Sequence, residues 1–380
     1  MSDYALVSTE EELAMKSTGF VWDEKYVWFD SRTYSDWLPP EAFFQPMPSP
    51  ETAEGKRRFK NLLDATGLSQ KLVMIPSRLA EVREIERVHD RAYIDRIKAL
   101  SDDCGGDAGE ETPFGKGGYD IALLAAGGAM NAAHAVATGE VDNAYALVRP
   151  PGHHAEKDLG RGYCIFANTA LAALHAQRDH GLERIAIIDW DVHHGNGTEH
   201  AFYDNGSVLT ISLHQDRCYP PESGGVEDNG TGAGTGANIN IPLPAGGGIG
   251  PYGLAFSDVV LPALDRFQPH MIIVASGLDA NRYDINARMN LCSKDYANLT
   301  QQLMDAADRL CGGKLLMIHE GGYSDQYTPY CGLRIVETLS GLDSGVDDSM
   351  VGGGPWTELH DHERAMIAKS AALVAKVPTP

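Results

Sequence analysis

The stretch from Arg184 to Gly197, reading Arg-Ile-Ala-Ile-Ile-Asp-Trp-Asp-Val-His-His-Gly-Asn-Gly, restricts the fold more than any other part of the chain. Ile185 to Ile188 form a short uninterrupted apolar run, which marks a strand buried on both faces. The polar cluster Asp189, Asp191, His193 and His194 begins where that run stops, and open α/β sheets place their chemistry at this end of a strand. Because strand side chains alternate, Asp189, Asp191 and His193 are expected on one side, with Trp190 and Val192 on the other. A carboxylate and an imidazole two residues apart can grip one cation. A charged loop with both histidines solvated is the competing reading, and the buried-strand context and Gly-rich exit weigh against it.

Around this strand the chain alternates between two periods. A helix is expected at 55–65, and a helical region at 79–100 breaks near His89-Asp90. Helix 119–138 precedes strand 144–149, and helix 166–179 precedes the central strand 185–189. Strand 207–213, a Gly-rich excursion over 223–236, helix 251–267, strand 270–276, helix 294–311 and strand 314–319 follow. Helices near 330–341 and 358–376 close the pattern. Such alternation predicts an α/β fold with right-handed crossovers and a central, mostly parallel sheet carrying helices on both faces. Residues 1–380 read as a single domain. The acid- and Gly-rich segment 101–118 has no apolar period and reads as a long loop, expected at the active-site rim.

Residues 1–50 carry Pro39, Pro40, Pro46, Pro48 and Pro50 and little periodicity, so they read as an irregular extension wrapped on the body or on a neighbouring subunit. Trp22, Trp28, Phe43 and Phe44 are more apolar surface than a solvated tail needs, which points to a homo-oligomer. The segment Met1 to Thr18 carries Glu10, Glu11 and Glu12, without a basic start or an apolar core, so no signal peptide is expected. The most apolar helix candidate, Tyr119 to Thr138, is interrupted by Asp120, Asn131 and His134, so no membrane span is expected either. The six cysteines lack CxxC pairing and read as reduced thiols in a cytoplasm. With 53 acidic against 31 basic residues, the net charge of -22 repels nucleic acid and suits cationic ligands.

Four strand ends carry polar groups that converge if the sheet is parallel: Arg149 to His154, Asp189 to His193, Ser276 to Asp279, and His319 to Tyr323. Asp191, His193 and Asp279 make three oxygen and nitrogen ligands with no thiolate, which leaves a coordination position open, as in catalytic zinc sites. His153 and His154 then fall as acid/base groups, and Asp189 is suited to orient one of their rings. Tyr323, on a Gly-Gly turn, can donate to an oxyanion or can equally be a core residue. Together these pieces describe metal-assisted attack of water on a carbonyl.

These motifs resemble the histone deacetylase superfamily, of arginase-like fold, and its bacterial class II-like amidohydrolases in particular. Arg-Pro-Pro-Gly-His-His at 149–154, Gly-Tyr-Cys at 162–164, Asp-Trp-Asp-Val-His-His-Gly-Asn-Gly at 189–197, Ser-Leu-His at 212–214, Gly-Leu-Asp-Ala at 277–280 and Glu-Gly-Gly-Tyr at 320–323 occur in the family's order. The resemblance covers about residues 45 to 345 and implies a three-layer arginase/deacetylase-like fold. It implies zinc on Asp191, His193 and Asp279, a proton shuttle at His154 with His153 as its electrostatic partner, and Tyr323 polarising the acyl carbonyl. It also implies a substrate channel at Gly162 and Tyr163, and a structural potassium site on Asp189, Asp191, His193, Ser212 and Leu213, largely through main-chain carbonyls.

Departures from the family pattern are informative. Asn196 stands where class I relatives carry an aspartate behind the shuttle histidine, so the resemblance follows the class II pattern, and a neutral amide there should leave His154 less basic. Asn281 stands where relatives usually carry a histidine, which implies an altered rim. The early His-Pro motif is reduced to Pro50-Glu51, and Glu110 or Glu111 occupies the place of an acidic rim residue that fixes the substrate backbone. The expected activity is zinc-dependent deacetylation of acetyl-lysine, on a peptide or on a small acylated amine. An acetylpolyamine deacetylase suits the acidic charge; an arginase-like ureohydrolase would need more bridging ligands, and a non-catalytic sensor would be expected to lack His154 or Tyr323.

Overall fold

The computed structural model describes residues 16–34 and 45–380. Its spine is a sheet of eight strands: β1 (Thr18–Val21), β2 (Val73–Ile75), β3 (Asn143–Ala146), β4 (Ile185–Asp189), β5 (Val208–Gln215), β6 (Asn238–Leu243), β7 (Met271–Ser276) and β8 (Leu315–His319). The order across the sheet is β6-β5-β4-β7-β8-β3-β1-β2, and every neighbouring pair is parallel. The central parallel sheet expected from the alternation is therefore present, with the Asp189 strand flanked on both sides.

Side-chain parity divides the core. Ile185 and Ile187 of β4 pack towards helices α1 (Gly118–Thr138) and α2 (Asn168–His180), whereas Ala186, Ile188, Trp190 and Val192 enter the larger cluster on the opposite face. That face is closed by helices at Glu54–Ala65, 249–267, Ser293–Cys311 and Thr328–Ser340, which contribute Phe59, Phe256, Leu303 and Val336. Burying each such side chain stabilises the fold by about 1.5–3 kcal/mol before entropy is counted. Helix α1 is long and apolar enough to cross a membrane, but 72% of its most apolar window is buried in the protein. One side of it meets the sheet through Ala125 and Ala129; the other meets the helix Arg91–Asp103 through Leu123 and Met130.

Four expectations need correction. Part of the supposedly irregular extension, Thr18–Val21, is an interior strand between β3 and β2; Phe43 and Phe44 lie outside the described residues. Strand β6 was not expected, although Asn-Ile-Asn-Ile alternates polar and apolar residues; Pro242 fits there because β6 is an edge. Segment 101–118 is ordered: its helix runs to Asp103, Gly105–Asp107 pairs with Pro113–Gly115, and Gly109–Glu110 pairs with Gly160–Arg161. Strand β3 ends at Ala146, so Arg149 stands beyond the ladder, followed by a cis Arg149-Pro150 bond.

Arg149 is held instead by a buried ion triad. Its Nε donates to Glu51 Oε2 (2.9 Å), its Nη1 to the carbonyls of Tyr26 and Phe29 (3.1 and 2.7 Å), and Lys56 Nζ reaches Glu51 Oε1 at 2.7 Å. Glu51, Lys56 and Arg149 are all buried, so the N-terminal segment is locked onto the chain that enters the site. Glu51→Ala would leave two cations unpaired in the core. It is expected to destabilise the protein by about 3–5 kcal/mol in urea unfolding; a change below about 1 kcal/mol would show that the triad contributes little.

Candidate active site

The floor of the site is formed where β4 and β7 end. Asp191, His193 and Asp279 are buried, and His193 Nδ1 lies 3.0 Å from Asp191 Oδ1 and 3.2 Å from Asp279 Oδ2. The remaining carboxylate oxygens are held by backbone: Val192 N donates to Asp279 Oδ1 (2.9 Å) and Gly321 N to Asp191 Oδ2 (2.8 Å). Among the described residues, no group hydrogen-bonds to Asp279 Oδ2. Two carboxylates buried this closely gain from a shared cation, and an imidazole with two carboxylate oxygens suits zinc. The close approach depends on glycine, since a Cβ on Gly277 would lie 2.1 Å from Asp191 Oδ2, and one on Gly321 would lie 2.1 Å from Asp279 Oδ2.

The tandem histidines take different environments. His153 Nδ1 bonds Asp189 Oδ2 at 3.0 Å; burial opposes its charging, but the Asp191 and Asp189 carboxylates push its pKa up to about 10. His154 Nδ1 meets Asn196 Oδ1 at 2.8 Å, while Asn196 Nδ2 donates to Glu156 Oε1 at 2.7 Å. That orientation makes His154 Nδ1 the donor and leaves Nε2 with a lone pair. Burial, reinforced by the His153 and His193 rings, holds His154 well below the ordinary imidazole value. The two rings are thus pushed in opposite directions, which separates them as acid/base groups.

The pocket above this floor is lined by Glu111, His154, Gly162, Tyr163, His193, Tyr219, Asn286 and Tyr323. The rings of Tyr163 and Tyr323 meet edge to face at 5.8 Å, and Tyr219 packs on His154 at 4.9 Å. Glu111 and Tyr163 hold φ of 52° and 67°, a left-handed conformation that non-glycine residues rarely adopt and that clusters at binding sites. Burial pushes the Tyr323 phenol well above its ordinary pKa, so it stays a neutral donor. Its turn is pinned by Asp284 Oδ2, which accepts from the Tyr323 and Ser324 amides at 2.7 and 3.2 Å.

Every residue read from the motifs as a metal ligand, shuttle or channel group lies in or against this pocket. Ser212 pairs with Asp189 in the β4–β5 register, and Leu213 follows it. His194, by contrast, turns away to Glu199 (3.2 Å) and Ser223 (2.9 Å). Of the two rim acids, Glu111 lines the pocket while Glu110 pairs with Arg161 at 3.1 Å. Asn281 is buried and holds a turn at the base of the loop that carries Asn286, donating to the Leu278 carbonyl at 2.6 Å and accepting from Tyr283 N at 2.8 Å.

The sequence reading missed Tyr219, Asn286, Asp284 and the role of Glu320, whose buried carboxylate accepts from the Gly152 and His153 amides (2.6 and 3.0 Å) and from Thr169 (2.9 Å). Burial pushes the Glu320 pKa up to about 7. Its position directly after β8 was a usable signal; Tyr219 and Asn286 lie in loops with no periodic cue.

A family model for the histone deacetylase domain matches residues 49–339. The chain is 47% identical over 338 residues to a histone deacetylase-like amidohydrolase of Pseudomonas aeruginosa, covering 88% of this chain and 89% of the relative. It is 36% identical over 309 residues to a probable deacetylase of Archaeoglobus fulgidus, covering 80% and 85%. The crystal structure of the HDA15 HD domain matches with a TM-score of 0.83 at 31% identity, over 95% of both chains.

The floor geometry makes a prediction about glycine. Gly277→Ala should fold but push the Asp191 carboxylate aside, lowering affinity for an added divalent cation, zinc being the probe, by about 10- to 100-fold, the range seen when groups supporting a metal site are disturbed. Competition against a chelator of known affinity measures this, and unchanged affinity would contradict the close-approach argument.

Proposed function

Since the chain belongs to the histone deacetylase family of deacetylases and related amidohydrolases, we propose that it hydrolyses the amide of an acylated amine, acetyl-lysine in the first instance, with zinc held by Asp191, His193 and Asp279. The observation that carries this reading is the buried ligand set, with spacings of 3.0 and 3.2 Å, beneath a pocket walled by His154 and Tyr323. Bound there, zinc would supply Lewis-acid polarisation and lower the pKa of a water.

The protein's own groups perform the rest. The acyl chain lies between Tyr163 and the pocket's other walls, with Gly162 giving room, and Glu111 at the rim orients the substrate backbone. The lone pair on His154 Nε2 takes a proton from the attacking water, and the same nitrogen returns it to the amine as the C–N bond breaks and acetate leaves. Asn196 fixes the ring's tautomer. His153, paired with Asp189 and pushed toward its charged form, stands beside the developing negative charge. The Tyr323 phenol donates to the carbonyl oxygen as it becomes an oxyanion.

The same proposal includes potassium on Asp189, Asp191, His193, Ser212 and Leu213, a reducing compartment for six unpaired cysteines, and a homo-oligomer in which Trp28, 66% exposed, is covered. A monomeric mass in light scattering at micromolar concentration would remove the last element. The net charge of -22 favours acetylated polyamines as competitors of acetyl-lysine peptides, so one substrate panel should contain both.

The chemical step is tested at Tyr323. Tyr323→Phe should keep zinc, fold and substrate binding, and lose turnover by about 100- to 1000-fold, the usual cost of one oxyanion donor. Near-normal turnover with zinc intact would move the polarising role to another group.

A further inference from the structure

Away from the pocket, the C-terminal halves of α1 and α2 bring three imidazoles together on the outer face. We propose that His134, His175 and His180 form a second site for a borderline divalent cation such as zinc, independent of the hydrolytic centre. One ring nitrogen from each lies within 4.8 Å of the other two. His134 Nδ1 and His180 Nε2 are 3.2 Å apart. Two nitrogens bound tetrahedrally to zinc at about 2.0–2.1 Å stand about 3.3–3.4 Å from each other, so this pair is already near the ligand spacing. The His180 ring meets those of His134 and His175 at centroid distances of 4.9 and 5.2 Å, so small ring rotations complete the set.

The groups behind the rings fit the same role. Ligating imidazoles commonly give their second nitrogen to a carboxylate, which fixes the tautomer and raises ligand basicity. Here Glu140 Oε1 lies 3.3 Å from His134 Nε2, and the Asp179 carboxylate stands beside His175, 2.6 Å from its Nδ1, as an ionic contact without hydrogen-bond geometry. A proton on His134 Nε2 leaves the Nδ1 lone pair facing His180. The nearby guanidiniums are each matched by a carboxylate, Arg87 by Asp179 (2.8 Å) and Arg78 by Glu84 (2.6 Å), which limits their repulsion of a cation. His180 is also the last residue of α2, where the helix carbonyl end favours positive charge. Three ligands leave one position open to solvent, consistent with a His134 side chain 45% exposed. A cation here ties α1 to α2 and stabilises the folded state by mass action.

The test counts metal in the full chain, stripped with chelator and re-equilibrated with micromolar zinc. The wild type should carry close to two zinc ions per chain, and His134→Gln close to one, with unchanged hydrolysis of an acetyl-lysine peptide and a smaller zinc-induced rise in Tm. Asp191→Ala should still bind one ion, and with cobalt should show the intense visible bands of a tetrahedral nitrogen site. The Asp191→Ala arm stands even if the histidine variant folds poorly. Equal zinc counts and Tm shifts in wild type and His134→Gln, or a second ion bound only at millimolar zinc, would overturn the proposal and leave the 3.2 Å contact as an imidazole–imidazole hydrogen bond. Neither result bears on the pocket's own zinc.

Discussion

Two carboxylates and an imidazole, closed off from water at the ends of two adjacent parallel strands, set the terms for the rest of this structure. Asp191 and Asp279 sit with no exposed surface, and their oxygens crowd one His193 nitrogen. Such a cluster is stabilised by a cation shared among its members and by a donor to every other oxygen. Backbone amides of Val192, His193 and Gly321 supply those donors, and glycine at 277 and 321 allows the approach. A larger residue at either glycine would force the carboxylates apart.

The same logic extends outward through the neighbouring polar groups. Asp189 and Asn196 orient the two histidines differently, so that a carboxylate backs one ring and an amide the other. Glu320 holds the backbone of the segment carrying both rings, and the Arg149, Glu51 and Lys56 triad anchors that segment from behind. The triad reaches the site as well, because Lys56 Nζ lies 5.6 Å from the centre of the Tyr323 ring. Fold and site are in this sense one network, and the strain at Glu111 and Tyr163 is borne by its rim.

What could be read from sequence followed from local pattern. Ile185 to Ile188 announced a buried strand, and alternation beyond it put Asp191 and His193 on one side, with Trp190 and Val192 in the core. Asp279 and Tyr323 were legible because each lies within four residues of the end of an apolar run. Strand β1 was not, since four residues show no period and its pairing with β3 and β2 comes from distant parts of the chain. Tyr219, Asn286 and Asp284 reach the site through irregular loops, where only tertiary structure fixes direction. Asn281 was legible as a departure from a motif, but its work in the local turn, through a short buried side chain, was not.

The central claim is that the Asp191, His193 and Asp279 cluster is built to hold the cation on which hydrolysis depends. The most direct measurement follows turnover of an acetyl-lysine peptide while metal-stripped protein is titrated with zinc, with bound metal counted in the same samples. The account predicts no turnover without metal, recovery in step with occupancy of the pocket, and none at any zinc concentration in Asp191→Ala. Full turnover by protein shown to be metal-free would contradict it.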